Sequence, residues 1–330
     1  MNIGKLDNDT LKRLVLNRHG ATRADVLQGA SVGEDCALVD FGDFVCAISS
    51  DPITATAEEI GRLSVHVSCN DIAANGIEPL GITLTVLLPP EITESEIEEM
   101  MRQASDAAAE IGVQIVGGHT EITDKVTQPI ITSTAFGRAL KSGLASDVCR
   151  SGDHIIVTKK LAMEGTAIIA AEKGDELRSL LPEAELLRAR SFVDSISVVK
   201  EGLIAAEIGY VDMHDITEGG VLGAVWEVCT LAGVGAELEA RALPFDDVTM
   251  QMCIFYDINP MRLISSGSML IIAHPDEGTR MISALEIAGI EATKIGEVRA
   301  ATGGLILNQK DGSLEVIEPP SADEIYRISS

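Results

Sequence analysis

Carboxylates and glycines interrupt the apolar pattern of this 330-residue chain at five places. They are "GEDCA" (33–37), "SSDPIT" (49–54), "CNDIAANG" (69–76), "GGHTEIT" (117–123) and "HDITEGG" (214–220). Each sets acids or small polar groups beside a strand end or a glycine. Chemistry that gathers several carboxylates is the binding of a hard cation together with phosphate. Mg²⁺ asks for near-octahedral oxygen ligands and takes a few carboxylates, water and phosphate oxygens. The Gly-Gly pairs let backbone N–H groups approach a phosphate, and the helix start after Gly220 adds a favourable dipole. Each stretch alone has a plainer reading. Asp51-Pro52 reads as a turn, and Asp215 or Thr217 before a helix as an N-cap. Asp35 reads as a solvated loop acid, His119 as a hydrogen-bonded loop residue, and His66 as a surface or core histidine. The co-occurrence of five such stretches favours the cation site. No Walker loop, HExxH or G-x-S-x-G is present.

Alternating strand and helix signals must position these residues. Ala37–Val39 and Phe44–Ile48, joined at Phe41-Gly42-Asp43, read as a hairpin. A helix is expected over about 58–74, with Gly76 at its stop. "GITLTVLLPP" reads as a strand. The helix of "TESEIEEMMRQASDAAAEIG" opens on a capping box of Thr93 and Glu96. Strands follow at "VQIVGG" and "PIITSTAFGRAL". The polar segment "KSGLASDVCRSGD" marks a boundary between domains 1–145 and 150–330. The second half reads as a strand at "HIIVTKKL", a helix near 166–172 and a long helical region over about 183–208. The site stretch, a helix at "VLGAVWEVCTLAG", a strand at "SMLIIAHP", a helix at "GTRMISALEIAG" and closing strands complete it. Both halves are therefore α/β.

Composition excludes whole classes of function. The formal charge of −26 repels nucleic acid and anionic membrane, so neither is an expected partner. The chain is 46% hydrophobic but only 3% aromatic, which implies an aliphatic core. Six scattered cysteines without a CxxC pair argue against a zinc site or disulfide framework. With no signal-like segment at Met1 and no membrane-length apolar run, a cytoplasmic location is expected.

The five stretches, in this order, resemble the AIR synthase superfamily, most closely its hydrogenase-maturation (HypE) and AIR synthase-related branch. "MNIGKL", "NDIAANGIEPLGITLTVLLP", "GDHIIVTKKLAMEGTAIIA" and "HDITEGGVLGA" carry the likeness over nearly the whole chain. The resemblance implies a two-domain α/β subunit. Its N-terminal domains pair in a dimeric β-barrel, and ATP with Mg²⁺ binds near that interface. It implies Asp35, Asp51 and Asp71 as metal-binding acids. Lys5, Asn70, Gly117, Gly118, Thr120, Thr217, Gly219 and Gly220 would lie near the nucleotide, the "GGHTE" stretch as a loop. Asp71, Glu121 and Asp215 would take catalytic parts. The implied chemistry is ATP-driven phosphorylation of a carbonyl or amide-like oxygen on a small-molecule or protein-borne substrate.

One departure stands out. Family members of the HypE branch end in a cysteine that carries a carbamoyl group, whereas this sequence reads "EIYRISS", with Ser329 and Ser330 at that place. A hydroxyl is a weaker nucleophile than a thiolate. The alternative expectation is accordingly a non-catalytic nucleotide-binding accessory protein, with a maturation protein as its partner. A homodimer through the N-terminal domains is expected on either reading. The strands near 44–48, 82–88 and 130–136 carry more apolar positions than one half-buried sheet requires.

Overall fold

The computed structural model describes residues 6–54, 59–144 and 147–328. Its N-terminal half runs α1 (Asn8–Leu11), β1 (Val26–Gln28), β2 (Ala37–Phe41), β3 (Phe44–Ile53), α2 (Ile60–Ala74), β4 (Pro79–Leu88), α3 (Glu94–Glu110), β5 (Gln114–Ile122) and β6 (Ile130–Leu140). These strands form one sheet in the order β1-β2-β3-β6-β4-β5, antiparallel except for the β4–β5 pair. The sheet is open in the single chain, with β1 and β5 at its edges.

The C-terminal half runs β7 (His154–Thr158), α4 (Met163–Glu172), α5 (Gly174–Leu177), α6 (Glu183–Arg190), α7 (Val199–Ile208), β8 (Asp212–Ile216), α8 (Gly220–Ala232), β9 (Gly235–Glu239), α9 (Asp247–Tyr256), β10 (Ser268–Ala273), α10 (Pro275–Ile287) and β11 (Ala292–Arg299), closing with β12 (Leu305–Asn308) and β13 (Leu314–Val316). Its sheet has the order β13-β12-β9-β11-β7-β10-β8, which puts β8 at an edge. No helix of the described residues is long and apolar enough to cross a membrane.

Helix α2 lies at the centre. Thirteen of its fifteen residues are buried, which marks a helix covered on all sides rather than an amphipathic one. Ile60, Leu63 and Ile72 join the N-terminal core with Val45, Ile82 and Ile131. On another side Ala73 meets α7 so closely that a Cβ on Gly202 would sit 2.2 Å from its carbonyl oxygen. His66 lies in this interior, where burial lowers its pKa to about 4. It is a core histidine.

Local chemistry explains the elements. Gly42, at φ +82°, turns the β2–β3 hairpin. Thr93 and Glu96 form the expected capping box on α3, with the Thr93 N–H donating to Glu96 Oε2 at 2.8 Å. Three expectations are corrected. Asp51-Pro52 is strand and not turn: β2 covers β3 only as far as Ile48, so the missing N–H of Pro52 leaves no gap in a second ladder. The "GGHTE" stretch is not a loop but most of β5, paired in parallel with β4. Gly118 permits that pairing, since a Cβ there would lie 1.9 Å from the Leu84 carbonyl oxygen. The long helix over 183–208 is broken into α6, a 3₁₀ turn at Ser191–Ser195, and α7. Backbone groups opened by this break find partners outside it, as described below.

Candidate functional site

The acids converge where the two sheets meet. Asp35 lies in the loop entering β2, Asp51 on β3, Asp71 on α2, and His214 with Asp215 on β8. Ser49 on β3 links two of them: its Oγ donates to Asp71 Oδ2 in a very short hydrogen bond and lies 3.2 Å from Asp51 Oδ2. From the other half, His214 Nδ1 lies 2.8 Å from Asp35 Oδ2 and 3.9 Å from Asp215 Oδ1. Its Nε2 lies 3.2 Å from Glu227 Oε2 on α8. The site thus exists only with both halves in contact.

Burial makes these charges costly. Asp71 is 7% exposed and Asp215 is 1% exposed. Burial, then Asp215, Asp51 and Asp35, hold the Asp71 carboxyl well above the ordinary range. Burial and Asp35 push Asp215 up to about 7, against the pull of His214 and a hydrogen bond with Asp71. Neither Asp215 oxygen meets a hydrogen-bond donor among the described residues, although the neighbouring Asp71 biases its titration. At the rim, burial raises Glu34 and Asp212 to about 6 each. Burial works against a charge on His214, yet Asp35 and Glu227 raise it well above its usual value. The Cys36 thiol, between burial and four aspartates, is held far from ionisation. Carboxylates gathered from four elements, with both oxygens of buried Asp215 lacking a donor, fit a divalent cation. Asp35, His214 and Asp215 present ligand atoms all within 4.8 Å of one another.

The remaining expected residues lie in three other places. Asn70 is fully buried, and its amide is committed: Nδ2 donates to the Ile196 carbonyl at 2.9 Å and Oδ1 accepts from the Val198 N–H at 2.8 Å. It closes the helix break from across the junction, as does Lys159, whose Nζ donates to the Ser195 and Ser197 carbonyls. Gly117, Gly118, Thr120 and Glu121 are exposed on β5, away from the acids. With Met101, Leu84 and Val86 the first three line an open groove of about 420 Å³. Glu121 lies 3.5 Å from His119. Thr217, Gly219 and Gly220 form the turn into α8, where both glycines have positive φ. The Gly219 N–H is taken by Asp323 Oδ2 at 2.7 Å. Asp323 also accepts from Ile264 and Ile325. Lys5, Ser329 and Ser330 lie outside the described residues. Arg62, on the same helix as Asp71, pairs with Glu59 and Glu110.

Sequence reasoning missed His214, Glu227, Ser49 and Asp323 as members of these polar networks. A histidine and an aspartate side by side in a strand bounded by glycines was the available signal for His214. Nothing in the sequence signalled Asp323, which is remote in the chain from Gly219, whose N–H it accepts.

Comparison with known proteins agrees with this architecture. The family described as AIR synthase related protein, N-terminal domain, matches residues 33–139, and the corresponding C-terminal domain family matches residues 150–307. The chain is 24% identical to a protein of Methanocaldococcus jannaschii named for hydrogenase expression/formation, over 98% of this chain and 97% of that protein. It is 27% identical to the carbamoyl dehydratase HypE of Azotobacter vinelandii, over 84% of this chain and 81% of the relative. Among solved structures, HypE in a HypE–HypF complex superposes with a TM-score of 0.79 at 20% identity, covering 94% of this chain and 99% of that one. HypE in complex with ATP gives 0.74 at 21%, covering 98% and 97%. Two domain matches spanning most of the sequence, on two sheets that meet at a shared acid cluster, make this chain a member of the AIR synthase-related protein family.

Proposed function

We propose that the chain is an ATP- and Mg²⁺-dependent enzyme that activates a carbonyl or amide-like oxygen by phosphorylation, in the maturation of a hydrogenase or another metalloenzyme. The observation that carries this reading is the convergence of half-buried Asp35 and Asp51 with buried Asp71 and Asp215, both Asp215 oxygens lacking an N–H or hydroxyl donor. The carbamoyl dehydratase relative and the solved HypE–ATP complex support it.

These four acids would hold the cation, which when bound neutralises charge on phosphate oxygens. The chain's own groups do the rest. Without the cation both Asp71 and Asp215 are held above the ordinary carboxyl range; with it bound, a carboxylate oxygen not engaged by the ion would accept the proton from the substrate. Ser49 fixes the rotamer of Asp71 by its hydrogen bond. The nucleotide would extend toward β5, where Gly117, Gly118, Thr120 and Glu121 face solvent, and toward Thr217.

On this reading residues 1–145 supply nucleotide binding and dimerisation, and residues 150–330 supply the other wall of the site. A second copy would pair along β5, an edge strand exposed on both faces. A maturation protein is the proposed partner, by analogy with the HypE–HypF complex. The unpaired cysteines suit a reducing compartment.

Calorimetry with ATP, with and without Mg²⁺, tests the reading. Binding should require the cation and weaken about tenfold or more in Asp71→Asn, the loss of one charged contact. Equal and negligible binding in both conditions overturns it. Release of ADP in a single turnover separates an enzyme from a nucleotide-binding accessory protein.

A further inference from the structure

The link between β7 and α4 holds two strained residues that lie outside the acid cluster. Lys159 and Ala162 both have a left-handed backbone, at φ +54° and +59°, which any side chain disfavours. Such a segment persists only where its surroundings over-determine it, and strain of this kind gathers at functionally constrained places. The Lys159 side chain shows what holds it. Its Nζ donates to the Ser195 carbonyl at 3.0 Å and to the Ser197 carbonyl at 2.6 Å, and lies 2.7 Å from Glu201 Oε1. These acceptors use every donor the ammonium has. The Glu201 side chain is 3% exposed, so the ion pair is shielded from water.

Both serines belong to the break between the 3₁₀ turn and α7. Asn70 grips the same stretch from α2, at the Ile196 carbonyl and the Val198 N–H. Successive backbone groups of one short segment are thus held by side chains from the two halves of the chain. The segment has no slack around it. A Cβ on Gly267 would lie 2.9 Å from the Ser195 carbonyl oxygen, and one on Gly202 would lie 2.2 Å from the Ala73 carbonyl oxygen on α2. Asn70 is the chain neighbour of Asp71, so a slide or rotation of α2 moves both. Ser49 fixes the Asp71 carboxyl from the N-terminal sheet, while the Asn70 clasp ties the helix that carries it to the second half.

We infer that Lys159 is a positioning residue for Asp71: by holding the Ser195 and Ser197 carbonyls it keeps the break in the shape that Asn70 clasps, and the clasp sets the place of Asp71 in the acid cluster. This inference rests on the proposed reading of Asp71 as a cation ligand. A purely local role, as counter-charge to Glu201, would end at the ion pair. Two apolar side chains of similar length would then serve as well.

The test therefore replaces both members of the pair in the full chain. Lys159→Met with Glu201→Met is compared with the parent in urea stability, in Mg·ATP affinity by calorimetry and in hydrogen exchange at the Val198 amide. The double variant should fold, lose about tenfold or more in Mg·ATP affinity, and exchange Val198 about tenfold or more faster, the β8–β10 ladder keeping its protection. Lys160→Met is the control, because Lys160 pairs with Glu291 at 2.6 Å on the same strained link and should change neither readout. Lys159→Arg serves if the double variant does not fold. It keeps a charge for Glu201, but its planar fork cannot meet the same three acceptors, so both readouts should move in the same direction. A folded double variant, or Lys159→Arg in its place, with parent affinity and parent exchange overturns the inference and leaves the proposed function standing. Weakened affinity with Val198 exchange unchanged overturns it too, since Lys159 would then act without the clasp. A parent chain that fails to bind Mg·ATP overturns the proposed function and this inference with it.

Discussion

Asp215 titrates near 7 in the folded chain, against 3.8 for an unperturbed aspartate. The folded state therefore keeps a proton that the unfolded chain releases between those values, and stability falls as pH rises through the window. A gap of about 3 pH units, at 1.36 kcal/mol for each, makes the loss about 4 kcal/mol between pH 4 and pH 8. No discount for solvent applies, because the side chain is 1% exposed. Asp215→Asn removes the titrating group, and its amide can donate to Asp71. The variant should match or fall below the parent at pH 4, where the parent carboxyl is neutral, and gain on it steadily to pH 8. The assay is urea unfolding at half-unit pH steps in the presence of a chelator. The readout is the difference between the two stability curves, which cancels any fixed cost of the amide. Saturating divalent cation should reverse the order at pH 8, because only the parent keeps that ligand. Parallel curves across the whole range would refute the claim that Asp215 is a buried, strained acid.

Two further outcomes follow from the same geometry. Asn70→Ala strands the Ile196 carbonyl and the Val198 N–H, at about 1–3 kcal/mol each, so urea unfolding should show a loss of about 2–6 kcal/mol; unchanged stability with weakened Mg·ATP binding would instead make Asn70 a nucleotide contact. Sedimentation of the intact chain at micromolar concentration should give twice its 34.9 kDa mass, and a monomer would count against pairing along β5.

Local signals in the sequence were reliable where one short segment decides the outcome. The hairpin at Gly42, the boxed start of α3 and the stop of α2 before Gly76 all depend on residues within a few positions of each other. The acids were legible as a group because strands and helices interrupted by carboxylates are rare. What stayed hidden depends on contacts across the chain. His214 meets Asp35 over 179 residues, and Asn70 meets Val198 over 128. The helix expected over 183–208 has a helical apolar pattern, yet Asn70 and Lys159 supply partners that make the break affordable. The "GGHTE" stretch looks like a phosphate loop by composition. Its glycines instead let β5 lie against β4, and only the Leu84 carbonyl reveals this.

The division of the acid cluster between two halves also governs the order of events in folding. Asp35, Asp51 and Asp71 come from one sheet and its central helix, while His214 and Asp215 come from the edge strand of the other. The full cluster is assembled only after β8 has docked against α2. An interaction absent from the transition state leaves the folding rate untouched and slows unfolding. A bound cation would then act as a late bolt, lengthening the lifetime of the native protein without hastening its formation. The chain must first assemble against the repulsion of its own carboxylates, and the aliphatic interior around α2 is what carries it over that barrier.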